Sequence, residues 1–205
     1  MNTRIGFGYD SHAFKPGVPL ILGGLPIEHT EGLAGHSDGD VLLHALTDAL
    51  LGALAVGDIG TFFPPSDPQW KGADSSIFLN LALEELQNAG YRLGNVDITL
   101  ILHRPKIVPI AALMRARVAE LLDVRLDQVS IKAKTPEGLN CDHVAQCHVV
   151  ALVEKVIDSE DLKSISDVIE NQKQLEDVVE DLLSSVHGVP KKRDLPQVYD
   201  TDDIT

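Results

Sequence analysis

The chain has 205 residues, 44% hydrophobic and 23% charged, with a net charge of −14; this suits one domain core plus an appendage and excludes a basic nucleic-acid-binding surface. It holds no apolar run of about 18 residues, and its N-terminus enters a strand-like pattern without a basic leader, so neither a membrane partner nor a secretory leader is expected. Its two cysteines, Cys141 and Cys147, are too few for a disulfide framework and fit a reducing compartment such as the cytoplasm.

Ile5, Phe7 and Tyr9 alternate with Gly6, Gly8 and Asp10. That period of two predicts a strand over 4–12 and places Asp10 and His12 on one face. Residues 20–27, with Gly23, Gly24 and Pro26, predict a short hairpin or edge excursion. A flexible stretch follows and ends at Gly35-His36-Ser37-Asp38-Gly39-Asp40, where Ser37 or Asp38 is the expected N-cap of a helix. Leu42, Leu43, Leu46, Ala49, Leu50, Ala53 and Leu54 recur at helical spacing, so that helix is expected to reach about residue 56. Residues 57–68 are too rich in Gly and Pro for either regular element. Helical periodicity returns at Ile77, Phe78, Leu81 and Leu86. A buried strand is expected over 96–102, a helix over about 108–122, and strands over 129–133 and 149–153. The order predicts an α/β or α+β sandwich, a mixed β-sheet with helices on one face.

From residue 157 onward there are 13 acidic and 5 basic residues, net −8, which leaves −6 for the first 156. Ile165, Val168, Gln172, Leu175, Val179, Leu182 and Val186 follow a 3-4 spacing over about three heptads, which fits a coiled coil and equally an isolated acidic amphipathic helix. Gly188 and Pro190 end the pattern. The expected organisation is a catalytic domain over 1–156, an acidic helical extension over 157–188, and a disordered tail over 189–205.

Asp10 and His12 share a strand face, and His44 sits in a leucine-rich helix. Three N and O donors leave zinc an open fourth position, the arrangement of a catalytic site. Taken singly, each histidine reads as a surface or hydrogen-bonded core residue. Asp40 and Asp48, four residues before and after His44, are candidates to accept its second ring N–H, with solvated carboxylates as the simpler reading. His36 and Ser37 stand among backbone N–H groups at a helix start, a setting for phosphate oxygens or sugar hydroxyls. Lys134-Thr135-Pro136-Glu137 leaves a strand end with a cation, a hydroxyl and a carboxylate, suited to phosphate and to a second divalent ion such as Mg²⁺ or Mn²⁺, or to a plain polar turn. Cys141-Asp142-His143 and Cys147-His148 lack the spacing of paired zinc knuckles and read as buried thiols.

Read together, Asp10-Ser11-His12, the segment 36–40, His44-Ala45-Leu46-Thr47-Asp48-Ala49-Leu50-Leu51-Gly52, Gly57-Asp58-Ile59-Gly60, Gly94-Asn95-Val96-Asp97, Pro105-Lys106 and Lys132-Ala133-Lys134-Thr135 closely resemble the 2-C-methyl-D-erythritol 2,4-cyclodiphosphate synthase family over about residues 3–155. The resemblance implies a homotrimer with its sheets toward the axis and active sites between subunits. It implies cyclisation of 4-diphosphocytidyl-2-C-methyl-D-erythritol 2-phosphate with release of CMP, in the non-mevalonate isoprenoid pathway, in a bacterial cytoplasm or a plastid stroma. By the same resemblance Asp10, His12 and His44 bind zinc and Glu137 helps hold the second divalent ion. His36 and Thr135 stabilise the transition state. Ser37, Asp58, Ile59, Gly60, Phe63 and Asp67 hold phosphate and erythritol hydroxyls, and Leu102 and Pro105 belong to the cytidine pocket, with Lys106 near the nucleotide phosphates and Lys134 near the substrate phosphates. The chain departs from the family pattern at Pro65, where an acidic residue is common, and over 138–144, where a longer Gly-rich loop with a basic residue is common. Two rival readings are a non-catalytic trimeric binding protein of the same fold and an unrelated zinc hydrolase.

Overall fold

Gly6 and Gly8 set the architecture, because they let a helix lie directly on a strand. A Cβ at Gly6 would stand 1.7 Å from the carbonyl oxygen of Ala49, and one at Gly8 would stand 1.9 Å from that of Ala45. The computed structural model describes residues 2–139, 141–156 and 159–187. Contacts within the chain separate it into two units, Met1–Val156 and Ile157–Thr205.

In the first unit, β1 (Thr3–Pro16) pairs antiparallel with β7 (Val144–Lys155) and, at its far end, with the short β4 (Glu31–Leu33). β5 (Tyr91–Ile101) lies antiparallel to β7 and parallel to β6 (Val129–Lys134). The order β4-β1-β7-β5-β6 makes a mixed five-stranded sheet. β2 (Leu20–Leu22) and β3 (Leu25–Ile27) form the expected hairpin. The helices are α1 (Val41–Leu54), α2 (Ile59–Phe62), α3 (Ser76–Asn88) and α4 (Ala111–Leu121). The fold is thus α+β, with a mixed sheet flanked by helices.

One sheet face carries Ala145, Cys147, Val149, Ala151 and Val153, all fully buried with the leucines of α1. The other face leaves Ile5 68%, Phe7 60%, Tyr9 44% and Val150 44% exposed. The small residues of β1 therefore face the core and its large ones face outward.

Four expectations are corrected. The N-cap of α1 is Asp40, not Ser37 or Asp38: its buried carboxylate accepts from the backbone N–H groups of Leu42, Leu43, Gly23 and Gly24. This satisfies two helix-start donors and locks the β2–β3 turn to the same helix. The 57–68 segment is not wholly irregular, since Asp58 caps the four-residue α2 by accepting from Thr61 N and Oγ1, each at 2.8 Å. The helix expected from residue 108 begins as a 3₁₀ turn, Val108–Ile110, as suits Pro109 at its start. Residues 31–33, read as part of a flexible stretch, form strand β4.

The second unit holds α5 (Ser159–His187). Val168, Ile169, Leu175, Val178, Val179, Leu182 and Leu183 are 51–65% exposed along it. The tail expected to be disordered, 189–205, lies outside the described residues.

Candidate metal centre and its clefts

The pleat of β1 aims Asp10 and His12 to the side on which α1 presents His44. Asp10 Oδ2 lies 2.9 Å from His12 Nε2 and 2.9 Å from His44 Nδ1, and the two ring nitrogens are 3.1 Å apart. Among the described residues these three form a group able to hold a metal ion. A tetrahedral ion with bonds of 2.0–2.1 Å separates its donors by about 3.3 Å. The triangle therefore fits such an ion after an expansion of a few tenths of an ångström, and the donor set of two imidazoles and one carboxylate suits zinc.

The electrostatics agree with this geometry. Burial alone would raise Asp10, but its hydrogen bonds to His12 and His44 outweigh that and hold the carboxyl well below its usual range. Burial alone would lower His12, yet the bond to Asp10, the Asp10 charge and a backbone bond to Ala34 raise it above 6.5.

Neither candidate carboxylate reaches His44, and neither is simply a solvated helix residue. Asp40 is fully engaged in capping, and Asp48 accepts the backbone N–H of Ile59 at 2.8 Å, tying the α2 loop to α1. Burial raises the Asp48 carboxyl above its ordinary value. His44 Nε2 instead meets Ser75 Oγ at 2.8 Å and Ser37 Oγ at 3.0 Å.

A cleft of about 260 Å³ opens beside the donors, lined by His36, Ser37, Ile59, Gly60, Phe63 and Trp70 among others. Phe63 packs edge-on against Trp70 with ring centroids 4.9 Å apart, and tilted against Phe78 at 4.5 Å. Phe63 and Pro65, both singled out from sequence, line this cleft, whereas Trp70 and the part Phe78 takes in the aromatic floor escape the sequence reading, which takes Phe78 only as a helix residue. His36 is exposed, with Nε2 3.4 Å from the Asp67 carbonyl oxygen. The Asp58 and Asp67 carboxylates cap α2 and the Pro68–Trp70 turn; hydrogen bonds from Thr61 lower the Asp58 carboxyl.

Leu102, Pro105, Lys106, Lys134, Thr135 and Glu137 line a separate cleft of about 290 Å³. There the Arg104–Pro105 bond is cis, Glu137 has φ 50, and Thr135 Oγ1 donates to Glu137 Oε1. Within one chain His36 and Thr135 thus line different clefts. Cys147 is buried and Cys141 half-buried, both as free thiols, and no second cysteine-histidine metal group occurs among the described residues.

Comparison with known proteins gives a coherent result. The YgbB family model matches residues 3–154. A 2-C-methyl-D-erythritol 2,4-cyclodiphosphate synthase from Koribacter versatilis is 61% identical over 152 residues, covering 74% of this chain and 98% of that protein. One from Xanthomonas campestris is 57% identical over 138 residues, covering 67% and 85%. A solved synthase in its CDP-bound form is 40% identical with a TM-score of 0.70, covering 74% of this chain and 100% of the other. The CDP complex of IspF from Plasmodium falciparum is 35% identical with a TM-score of 0.67, covering 76% and 97%.

Proposed function

The chain belongs to the YgbB family, and is an enzyme of the non-mevalonate isoprenoid pathway that converts 4-diphosphocytidyl-2-C-methyl-D-erythritol 2-phosphate to 2-C-methyl-D-erythritol 2,4-cyclodiphosphate and CMP; from that premise we propose how its own residues do so. The reading rests on one observation, the convergence of Asp10, His12 and His44 at 2.9–3.1 Å beside a cleft. Asp10, His12 and His44 would hold zinc, and Glu137 would help hold Mg²⁺ or Mn²⁺; when bound, such ions would supply positive charge to neutralise and orient the substrate phosphates.

The reaction is internal phosphoryl transfer: an oxygen of the 2-phosphate forms a bond to the β-phosphorus as the bond to CMP breaks. Attacking and leaving groups belong to one molecule, so the protein's task is to bend it into an in-line geometry. Ser37, Asp58, Ile59, Gly60, Phe63 and Asp67 hold the erythritol and its phosphate over the aromatic floor. Leu102, Pro105 and Lys106 hold the cytidine, while Lys134 and Thr135 donate to the diphosphate. His36 and Thr135 stabilise the charge that builds during transfer.

Since His36 and Thr135 line different clefts of one chain, this scheme calls for a homotrimer in which one subunit's metal cleft meets its neighbour's nucleotide cleft. The exposed Ile5, Phe7, Tyr9 and Val150 support a sheet face buried between subunits. The free thiols support a cytoplasmic or stromal setting; no described helix is long and apolar enough to cross a membrane. Residues 157–188 lie beyond the family match, and α5 within them supports reading this part as an acidic extension separate from the catalytic domain. The test is incubation with the cytidylylated substrate and a divalent cation. Stoichiometric CMP and cyclic diphosphate support the scheme; CMP-free binding or a linear hydrolysis product refutes it.

A further inference from the structure

His44 reaches the donor triangle through Nδ1. That nitrogen can give its lone pair to a cation only if the ring proton sits on Nε2, so whatever faces Nε2 governs metal affinity. Facing it is Ser75, fully buried where α3 begins, with Oγ at 2.8 Å.

The direction of this hydrogen bond follows from what stands behind Ser75. Asp38 Oδ1 takes the Ser75 hydroxyl in a short hydrogen bond, and Oδ2 accepts the Ser75 backbone N–H at 3.1 Å. A carboxylate accepts only, so the hydroxyl proton points to Asp38 and a lone pair of Oγ is left for His44 Nε2–H. Ser37 Oγ lies 3.0 Å from the same nitrogen.

The position of Ser75 adds an independent indication. A serine at a helix N-cap ordinarily accepts from the helix's own N–H groups. Ser75 occupies the N-cap of α3 yet makes no such bond. The nearby backbone N–H of Ser76 goes to Asp74 Oδ1 instead, at 2.8 Å. Ser75 itself has helical dihedrals, φ −66 and ψ −14, and Asp74 serves the helix start, so the Ser75 hydroxyl is available to the histidine. The two loops involved are also laced through their backbones, with Asp38 N donating to Ala73 O at 3.0 Å and Gly72 N to His36 O at 2.8 Å.

We propose that Asp38 and Ser75 are positioning residues for the metal centre: the chain His44 Nε2–H to Ser75 Oγ–H to Asp38 fixes the histidine tautomer that turns Nδ1 toward the ion. The proposal rests on reading Asp10, His12 and His44 as a metal site. Ser75→Ala is the cleaner variant, because Asp38 Oδ1 also accepts the backbone N–H of Asp40 at 3.1 Å.

Zinc dissociation constants are measured by chelator competition for the wild type, Ser75→Ala, Ser75→Thr and His44→Ala, alongside the melting of each apo form. Ser75→Ala is expected to bind zinc roughly 10–100-fold more weakly, and Ser75→Thr, which keeps the hydroxyl, to recover most of that loss. Wild-type affinity in Ser75→Ala with binding lost in His44→Ala overturns the positioning role alone. Wild-type affinity in His44→Ala overturns the metal reading beneath it. Long-range proton–nitrogen spectra of the zinc-loaded wild type, where Asp10 no longer takes a proton from Nδ1, supply a second check: the His44 proton is expected on Nε2 in a hydrogen bond that Ser75→Ala loses, and a proton on Nδ1 overturns the proposal.

Discussion

Replacing Gly8 with alanine tests whether the metal centre depends on the contact between β1 and α1. The new Cβ would lie 1.9 Å from Ala45 O, 2.7 Å from Ala49 N and 2.9 Å from Ala45 C. These are backbone atoms inside a helix, so no side chain can swing aside. Ordinary contact begins near 3.4 Å, so α1 must retreat by about 1.5 Å or the strand must buckle, and overpacking of this kind costs about 1–3 kcal/mol or more. For a chain of this size that is a fall in Tm of roughly 2–12 °C. The functional loss should exceed the stability loss. Gly8 is two residues from Asp10, Ala45 follows His44, and donors now 2.9 Å apart cannot lose 1.5 Å of alignment and still share one ion. Gly52→Ala on the same helix is the control. Its Cβ would come no nearer than 3.8 Å to Phe7 O, and gaining helix propensity should stabilise by about 0.5–1 kcal/mol. Differential scanning fluorimetry and metal analysis read both. A Gly8→Ala protein with stoichiometric zinc and an unchanged Tm would refute the reasoning.

Asp40→Ala removes the acceptor of four backbone N–H groups and is expected to cost at least about 2 kcal/mol in denaturant melts; a smaller loss would mean that water replaces the cap. Burial pushes the Cys147 thiol up, so native protein should react with one equivalent of thiol reagent, at Cys141, and denatured protein with two; rapid native labelling of both would contradict the buried assignment. Because Asp10 raises His12 above 6.5, proton and cation compete for that ring. The His12–Asp10 pair stabilises the apo fold fully below pH 6.5 and loses that contribution as pH rises through the raised value, while metal affinity moves the opposite way. Calorimetry in buffers of different ionisation enthalpy should find proton release on zinc binding at pH 6.5 that declines as pH rises through the raised value; pH-independent release would refute the competition.

Much of the fold was legible because its elements have clean periods. The leucines of α1 recur at helical spacing and are buried as a set, and β1 alternates over most of its length, from Ile5 to Lys15. The pattern of β1 does not reveal which face is the core. Large apolar residues ordinarily point inward, yet Ile5, Phe7 and Tyr9 are exposed while Gly6 and Gly8 are buried. The reason lies outside the strand, in the demand of α1 for close approach, and a single strand's residues carry no record of it. β4 escaped for a related reason: three residues are too few to show a period, and pairing with Phe14, Lys15 and Pro16 defines them as a strand.

The site divides along the same line. Asp10 and His12 are neighbours by strand period and His44 is conspicuous in its helix, so the ligands were recoverable from local pattern and from family resemblance. Their supports were not. Asp40 and Asp48 sit at helical spacing from His44, which made them the natural candidates for its second nitrogen, but one caps α1 and the other holds Ile59. Ser75 lies 31 positions from His44 and Asp38 lies 37 from Ser75, and both have ordinary capping-type identities that sequence assigns to helix starts. The signal that separates them appears only in three dimensions, where Asp74 serves the start of α3 and the Ser75 hydroxyl turns to the histidine. In a metal enzyme built on this sheet, first-layer ligands can therefore be read from periodicity, whereas the residues that set their tautomer must be found by asking where each buried hydroxyl sends its proton.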